Sequence, residues 1–236
     1  MYNRYMYGFD WTYLLVIAGL ILGLIAQHRV NQAYEKYAKV PTSFGRPAWE
    51  VANMILLRNG NQRVSVQRIS GKLTDHYDPR NETLSLSEGV YDSSSVSAIG
   101  IAAHEAGHAM QKMESYAPLA LRSAAVPVVN IGSRASMPIF VLGLVLSVEP
   151  LVWVGIGLFS LAVIFALITL PVELNASSRA LRMLQDSGVM TEDELAGVRH
   201  VLRAAAMTYV ASALASLLNL VRLLLIAQGS SRRRRD

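Results

Sequence analysis

Residues 151–170, LVWVGIGLFSLAVIFALITL, carry no charged side chain over a length that crosses a bilayer as one helix. Backbone N–H and C=O groups in hydrocarbon have no water to bond, so such a run must satisfy them internally. Three further apolar stretches accompany it. Residues 11–26, WTYLLVIAGLILGLIA, open with aromatic residues of the kind that sit at a membrane interface, and Phe9 extends them. A signal peptide is the competing reading there, but Arg4 is the only base upstream, Asp10 abuts the run and no small-x-small cleavage site follows. The stretch reads as a membrane anchor. Residues 123–147 are apolar but interrupted by Pro127, Asn130, Arg134 and Pro138, and with 151–170 they predict a hairpin turning at Glu149-Pro150. The last stretch, AMTYVASALASLLNLVRLLLIAQ, carries Asn219 and Arg222, and its small residues suit close helix packing.

Composition agrees. The 236 residues are 52% hydrophobic and 17% charged, with positive mean hydropathy, which points to a membrane protein rather than a soluble globule. The formal charge of +5 includes Arg232 to Arg235, and on a membrane protein it reports topology and anionic headgroups rather than nucleic acid. No nucleic-acid fold signature is present. The chain has no cysteine, so disulfides, thiolate metal sites and a cysteine nucleophile are excluded. Any metal must be held by His, Asp or Glu.

Between the first two apolar regions the chain changes character. HRVNQAYEKYAKV reads as a polar helix leaving the membrane, Pro41 and Pro47 bracket a turn, and AWEVANMILLRNG has helical spacing closed by Gly60. VSVQRIS, LTDHYDP and TLSLSEGVY read as short strands and turns. A helix follows, capped by Ser93, Ser94 or Ser95. Beyond the hairpin, VELNASSRALRMLQDSG reads as a separate amphipathic helix opened by Pro171 and closed by Gly188. TEDELAGVRHVLRAA starts the next, with Thr191 and Glu194 as a capping box. The expected architecture is a mostly α membrane protein with about three to four transmembrane helices and a small α+β unit. Its parts are an anchor (1–27), an α+β part (28–116), a hairpin (117–171), two helices (172–204) and an apolar helix with a basic tail (205–236).

The helix SAIGIAAHEAGHAMQ places His104, Glu105 and His108 in a small, apolar run. Residues four apart lie one turn above each other, so both imidazoles can reach one metal ion. Glu105, about 100° around the helix, leans over a metal-bound water instead. Zinc lowers that water's pKa to about 7, and a carboxylate there takes its proton and later passes it on. Coincidence is the rival explanation, yet two of the chain's five histidines fall at this spacing around a glutamate, and buried polar residues without a partner are costly. Ala106 and Gly107 leave room for a second helix or a substrate backbone.

A catalytic zinc needs a third protein ligand and an open position. The next histidine is His200, too distant for an HExxHxxGxxH pattern, and the best candidate is Glu173 in LPVELNASSRA. A lone carboxylate at the end of a long apolar run asks for an explanation; ligation supplies one, and attraction to a helix N-terminus is the competitor. Asp75 and Asp78 lie in a turn-like segment, and His76 between them reads as structural. His200 and Tyr209 are both candidates for stabilising the oxyanion of a tetrahedral intermediate.

HEAGHAMQ, followed after a membrane hairpin by PVELNASSRAL and then RAAAMTYVASAL, resembles the YugP-type neutral zinc metallopeptidases of bacterial membranes. More distantly the chain is similar to the HtpX and CAAX-prenyl-protease group of gluzincins. The resemblance covers nearly the whole chain. It implies a zincin-like catalytic unit with Zn2+ held by His104, His108 and Glu173, and Glu105 as general base. It also implies that TLSLSEGVY pairs as an edge strand with an extended substrate. The chain departs from the HtpX-type ExxAD after Glu173, so Asn175 or Ser177 supplies the contact that orients the ligands.

Two rival readings compete with this one. A site-two intramembrane peptidase holds its motif in a spanning helix and completes the metal site with an intramembrane aspartate. Here the motif follows the largely polar residues 27–103, and neither long apolar run contains aspartate. A non-catalytic, zinc-containing adaptor or chaperone-like membrane protein would keep a closed site with four protein ligands, and no fourth is evident. The reading is therefore a membrane zinc metalloendopeptidase acting on peptides or membrane proteins near the bilayer of a bacterial inner or plasma membrane. Exposed small-residue helices leave room for a homo-oligomer or a regulatory membrane partner. Arg29, Lys36, Lys39 and Arg46 follow the first span, which places the catalytic part in the cytoplasm, although the arginine tail opposes this if 205–227 crosses.

Overall fold

A computed structural model describes residues 10–232 of the chain; Arg4, Phe9 and Arg233 to Arg235 lie outside the described residues. The elements run α1 (Tyr13–Ala38), α2 (Ala48–Arg58), β1 (Ser65–Ile69), β2 (His76–Asp78), β3 (Thr83–Ser87), α3 (Glu88–Tyr91), α4 (Val96–Met113), α5 (Ala117–Val145), α6 (Glu149–Ser187) and α7 (Glu192–Arg232). Among the described residues, α1, α5, α6 and α7 are long and apolar enough to cross a membrane. The protein is thus a mostly α membrane protein with a small α+β part. Contacts divide it into one unit of residues 10–25, 124–167 and 210–232 and another of 26–123 and 168–209.

The first unit is helical and apolar outward: Leu14, Ile17, Leu20, Ile21 and Leu24 of α1 are exposed, as a lipid-facing helix requires. Its α5–α6 hairpin closes on missing side chains. A Cβ on Gly143 would stand 2.6 Å from the Val152 nitrogen, and one on Gly155 would stand 2.7 Å from the Phe140 Cα, so glycine sets the close antiparallel approach. Within the ASALAS stretch, Ala215 packs against Gly19 of α1. The Arg222 guanidinium lies 4.3 Å from the Tyr13 ring centroid, a cation–π contact that gives this charge an aromatic partner.

Two boundaries differ from expectation. The hairpin turns at Leu146–Val148, where Val148 N–H bonds Gly143 O and Ser147 N–H bonds Leu144 O, with Ser147 at φ 59°. This is a Schellman closure, with serine where glycine is commonest. Pro171 does not open a new helix; it lies inside the continuous α6. Loss of one backbone bond at a proline is outweighed here because Val172, Glu173 and Ala176, just beyond it, are all buried. A helix with a proline in its interior looks, in sequence, like one helix ending and another starting.

The second unit holds the sheet. β3 is its central strand, parallel to β1 and antiparallel to β2. The expected edge role of TLSLS is therefore corrected: both edges of β3 are filled, and the free edges belong to β1 and β2. The alternation of Leu and Ser suggests a half-exposed strand, yet Leu84, Ser85, Leu86 and Ser87 are all buried. Ser85 accepts from Gln67 Nε2 at 3.0 Å, and Ser87 bonds Asp75, so the serines tolerate burial through side-chain partners. Leu84 and Leu86 join Val51, Ile55 and Leu56 of α2, Ile99 of α4, Leu184 of α6 and Val198 and Leu202 of α7 in one core. The local signals hold. Ser95 caps α4, accepting from Ala98 N–H at 3.3 Å, and Thr191 and Glu194 exchange both bonds of a capping box at 2.7 and 3.3 Å. Asn59 caps α2, and Gly60 follows it at φ 79°.

Candidate metal centre

α4 and α6 build the centre. On α4, the four-residue spacing stacks His104 and His108 on one face, with ring centroids 4.8 Å apart and planes at 83°. α6 meets that face at Gly107, where an added Cβ would collide with the carbonyl oxygen of Ala176. The absent side chain is what lets α6 come close enough to bring Glu173, one turn before Ala176, onto the two histidines. Glu173 Oε2 lies 3.3 Å from His104 Nε2 and 3.5 Å from His108 Nε2. Donors around a tetrahedral zinc, each about 2.0–2.1 Å from the ion, stand about 3.3–3.4 Å from one another. Both histidine–Glu173 pairs match that spacing, and two imidazole nitrogens with a carboxylate oxygen, all within 4.8 Å of one another, are a donor set that suits zinc.

The surroundings finish the job of holding these groups. The other carboxylate oxygen, Glu173 Oε1, meets Arg122 Nη1 at 3.1 Å. Ser177 Oγ sits 3.1 Å from His104 Nδ1, and Gln111 Oε1 sits 2.9 Å from His108 Nδ1. Of the two expected orienting residues, Ser177 therefore touches a histidine directly, whereas Asn175 reaches His108 through Gln111 at 2.9 Å. Glu173 and Gln111 are buried at 2% and 0% exposure, so every polar atom they carry needs such a partner. Burial disfavours a charged His108, but its hydrogen bond to Glu173 and the nearby carboxylates of Glu105 and Glu173 outweigh this and raise its pKa above the ordinary value.

A cavity of about 270 Å3 opens on this cluster. His104, Glu105 and Glu173 form its polar wall, and Tyr209 and Ser177 stand beside them. Gln27, Tyr34, Asp75 and Thr208 add polar groups, and most of the remaining wall is apolar, with Ile101 of α4, Val201, Leu202, Ala205 and Ala206 of α7, and Val30 of α1. Tyr209 lies in the cavity and its hydroxyl interacts with Glu173; His200 lies outside, exposed and packed 5.8 Å from the Tyr37 ring. Of the two oxyanion candidates, only the tyrosine is near the cluster.

Three residues near the centre were not singled out from sequence. Gln111 follows His108 by three positions, one helical turn on, and that spacing was the available signal. Arg122 opens an apolar helix, where a base reads as a topology marker. Asp75, read as a turn residue, lines the cavity and accepts from Ser87 N–H at 2.8 Å; burial pushes its carboxyl pKa up in spite of that bond.

Comparison with known proteins agrees with the site's chemistry. The chain is 49% identical over 212 residues to "Putative membrane protease YugP" of Bacillus subtilis (strain 168), a match covering 90% of this chain and 94% of that protein. No solved structure matches it. Residues 12–228, nearly the whole chain, match the family described as "Putative neutral zinc metallopeptidase", and the protein belongs to that family.

Proposed function

We propose that the protein is a membrane-bound zinc metalloendopeptidase of the gluzincin type, with His104, His108 and Glu173 as zinc ligands and Glu105 as general base. The observation that carries this reading is the convergence of His104, His108 and Glu173 donors within 4.8 Å of one another on the wall of an open cavity that Glu105 also lines. Bound there, zinc would supply the Lewis acidity that acidifies a water and polarises a peptide carbonyl. The chain's own groups do the rest. Glu105 takes the proton of the attacking water on its carboxylate and delivers it to the leaving amine nitrogen. Tyr209 is placed to donate its hydroxyl proton in a hydrogen bond to the oxyanion. Arg122 and the two histidines hold Glu173 in place. The apolar wall formed by α4 and α7 shields the reacting groups from water and accepts apolar substrate side chains.

A non-catalytic zinc adaptor would need a fourth protein ligand; among the described residues three His and Glu donors converge, which favours the open, catalytic form. The full-length protein in detergent should cleave internal bonds of a quenched fluorogenic peptide library. Chelation should stop the cleavage and zinc should restore it. Zinc-replete protein without hydrolysis of any library member would overturn the enzymatic reading.

We place the catalytic unit in the cytoplasm, at the inner or plasma membrane of a bacterium. Arg29, Lys36, Lys39 and Arg46 follow the first span, and Arg179, Arg182, Arg199 and Arg203 flank the later ones on the same side. With α7 crossing, Arg232 to Arg235 fall on the far side, but they are outnumbered. The chain lacks cysteine, so Ser147→Cys in the α5–α6 turn gives a single reporter. An impermeant maleimide should label it in intact cells or, in a Gram-negative host, once the outer membrane is opened. Labelling only after the inner membrane is breached would invert the orientation.

A further inference from the structure

We infer that Gln111 is a positioning residue that selects the tautomer of His108, and that it takes its own orientation from Arg179 through Asn175. The inference rests on the proposed role of His108 as a ligand through Nε2.

The argument is one of donors and acceptors whose roles cannot be exchanged. Gln111 Nε2 lies 2.8 Å from the backbone carbonyl of Val172 and 2.9 Å from Asn175 Oδ1. A backbone carbonyl only accepts. Arg179 Nε lies 2.7 Å from the same Asn175 oxygen, and a guanidinium only donates. The Asn175 amide therefore cannot flip, because its NH2 would face Arg179. Its oxygen takes two N–H groups, one from Arg179 and one from Gln111. That fixes the Gln111 NH2 toward α6 and leaves Gln111 Oε1 facing His108 Nδ1 at 2.9 Å. An oxygen acceptor there requires a proton on Nδ1. In the neutral ring Nε2 is then bare, and it is Nε2 that faces Glu173.

The chain of bonds starts at the surface and ends at the centre. Arg179 is anchored by Glu114 at 2.6 Å, on the turn that ends α4. Val172, Asn175 and Arg179 lie three and four apart on α6, one face presented to the α4 face that carries His108 and Gln111. Gln111 is fully buried, so a reversed amide would leave several polar groups unpaired at once. His104 has a less constrained partner, since the Ser177 hydroxyl can donate or accept.

The test uses the full-length protein in detergent, labelled with 15N-histidine and loaded with 113Cd, alongside zinc affinities from chelator competition. In the wild type, His108 should couple to cadmium through Nε2 and carry a proton on Nδ1. Gln111→Met keeps the length but removes the acceptor; zinc Kd should rise about 10- to 100-fold and the His108 Nδ1 proton should exchange with solvent faster than in the wild type. Should that variant fail to fold, the Asn175 pair decides. Asn175→Asp keeps the accepting oxygen and should bind zinc as the wild type does, while Asn175→Leu should bind about 10-fold more weakly. Cadmium coupling through His108 Nδ1, or a Gln111→Met Kd within about twofold of the wild type, would overturn the inference, as would equal affinities for both Asn175 variants. The two levels separate cleanly. If His108→Ala leaves zinc binding unchanged, the ligand reading fails and this inference with it; if His108→Ala loses zinc and Gln111→Met does not, only the role of Gln111 fails.

Discussion

Glu105→Gln should lower peptidase turnover by roughly 10²- to 10⁴-fold, the range that removal of a general base produces, while zinc content stays at that of the wild type. The two effects separate because Glu105 lines the cavity beside His104 yet is outside the cluster of three converging donors. Glutamine matches glutamate in shape but cannot take a proton at neutral pH, so packing survives and proton transfer does not. Turnover on a fluorogenic peptide and metal content on the same sample check both halves. Retained turnover would remove Glu105 from the mechanism, and loss of zinc in parallel would make it a structural support of the site.

Glu173→Ala should cost more than a ligand. Its carboxylate is the shared partner of His104, His108 and Arg122, and it is almost wholly buried. Removing one member of a buried charged group costs about 3–5 kcal/mol of stability, and with one of three ligands gone zinc binding should be largely lost as well. Glu173→Gln keeps an oxygen donor without the charge and should fall between that variant and the wild type. If both bind zinc as the wild type does, Glu173 is only a buried structural partner of Arg122 and the two histidines.

The sequence made some of this readable because the physics is local. A helix fixes the angular relation of residues four apart, so His104 and His108 share a face whatever else the chain does. Apolar runs of spanning length carry their own backbone solution, and the family resemblance rested on motifs spread over nearly the whole chain. Caps behaved likewise, as Ser95 and the Thr191–Glu194 box show. What stayed hidden depends on packing between distant segments. Pro171 sits within α6 because the residues after it are buried, and no local signal reports that burial. TLSLS is central because β1 and β2 pair on both sides of it, whereas alternation alone fits an edge equally well. His200 and Tyr209 both lie on α7, and only the tertiary approach of that helix to α4 puts the tyrosine in the cavity and leaves the histidine outside. Arg122 was invisible for the same reason: its partner is 51 residues away on another helix.

The central claim is that these three residues hold a zinc ion. Plasma mass spectrometry of the full-length protein, purified without chelators beside Glu173→Ala, tests it directly. The account predicts one zinc per wild-type chain and a large loss from the variant. A wild type without zinc, or a variant that keeps it in full, would contradict the metal centre and the chemistry built on it.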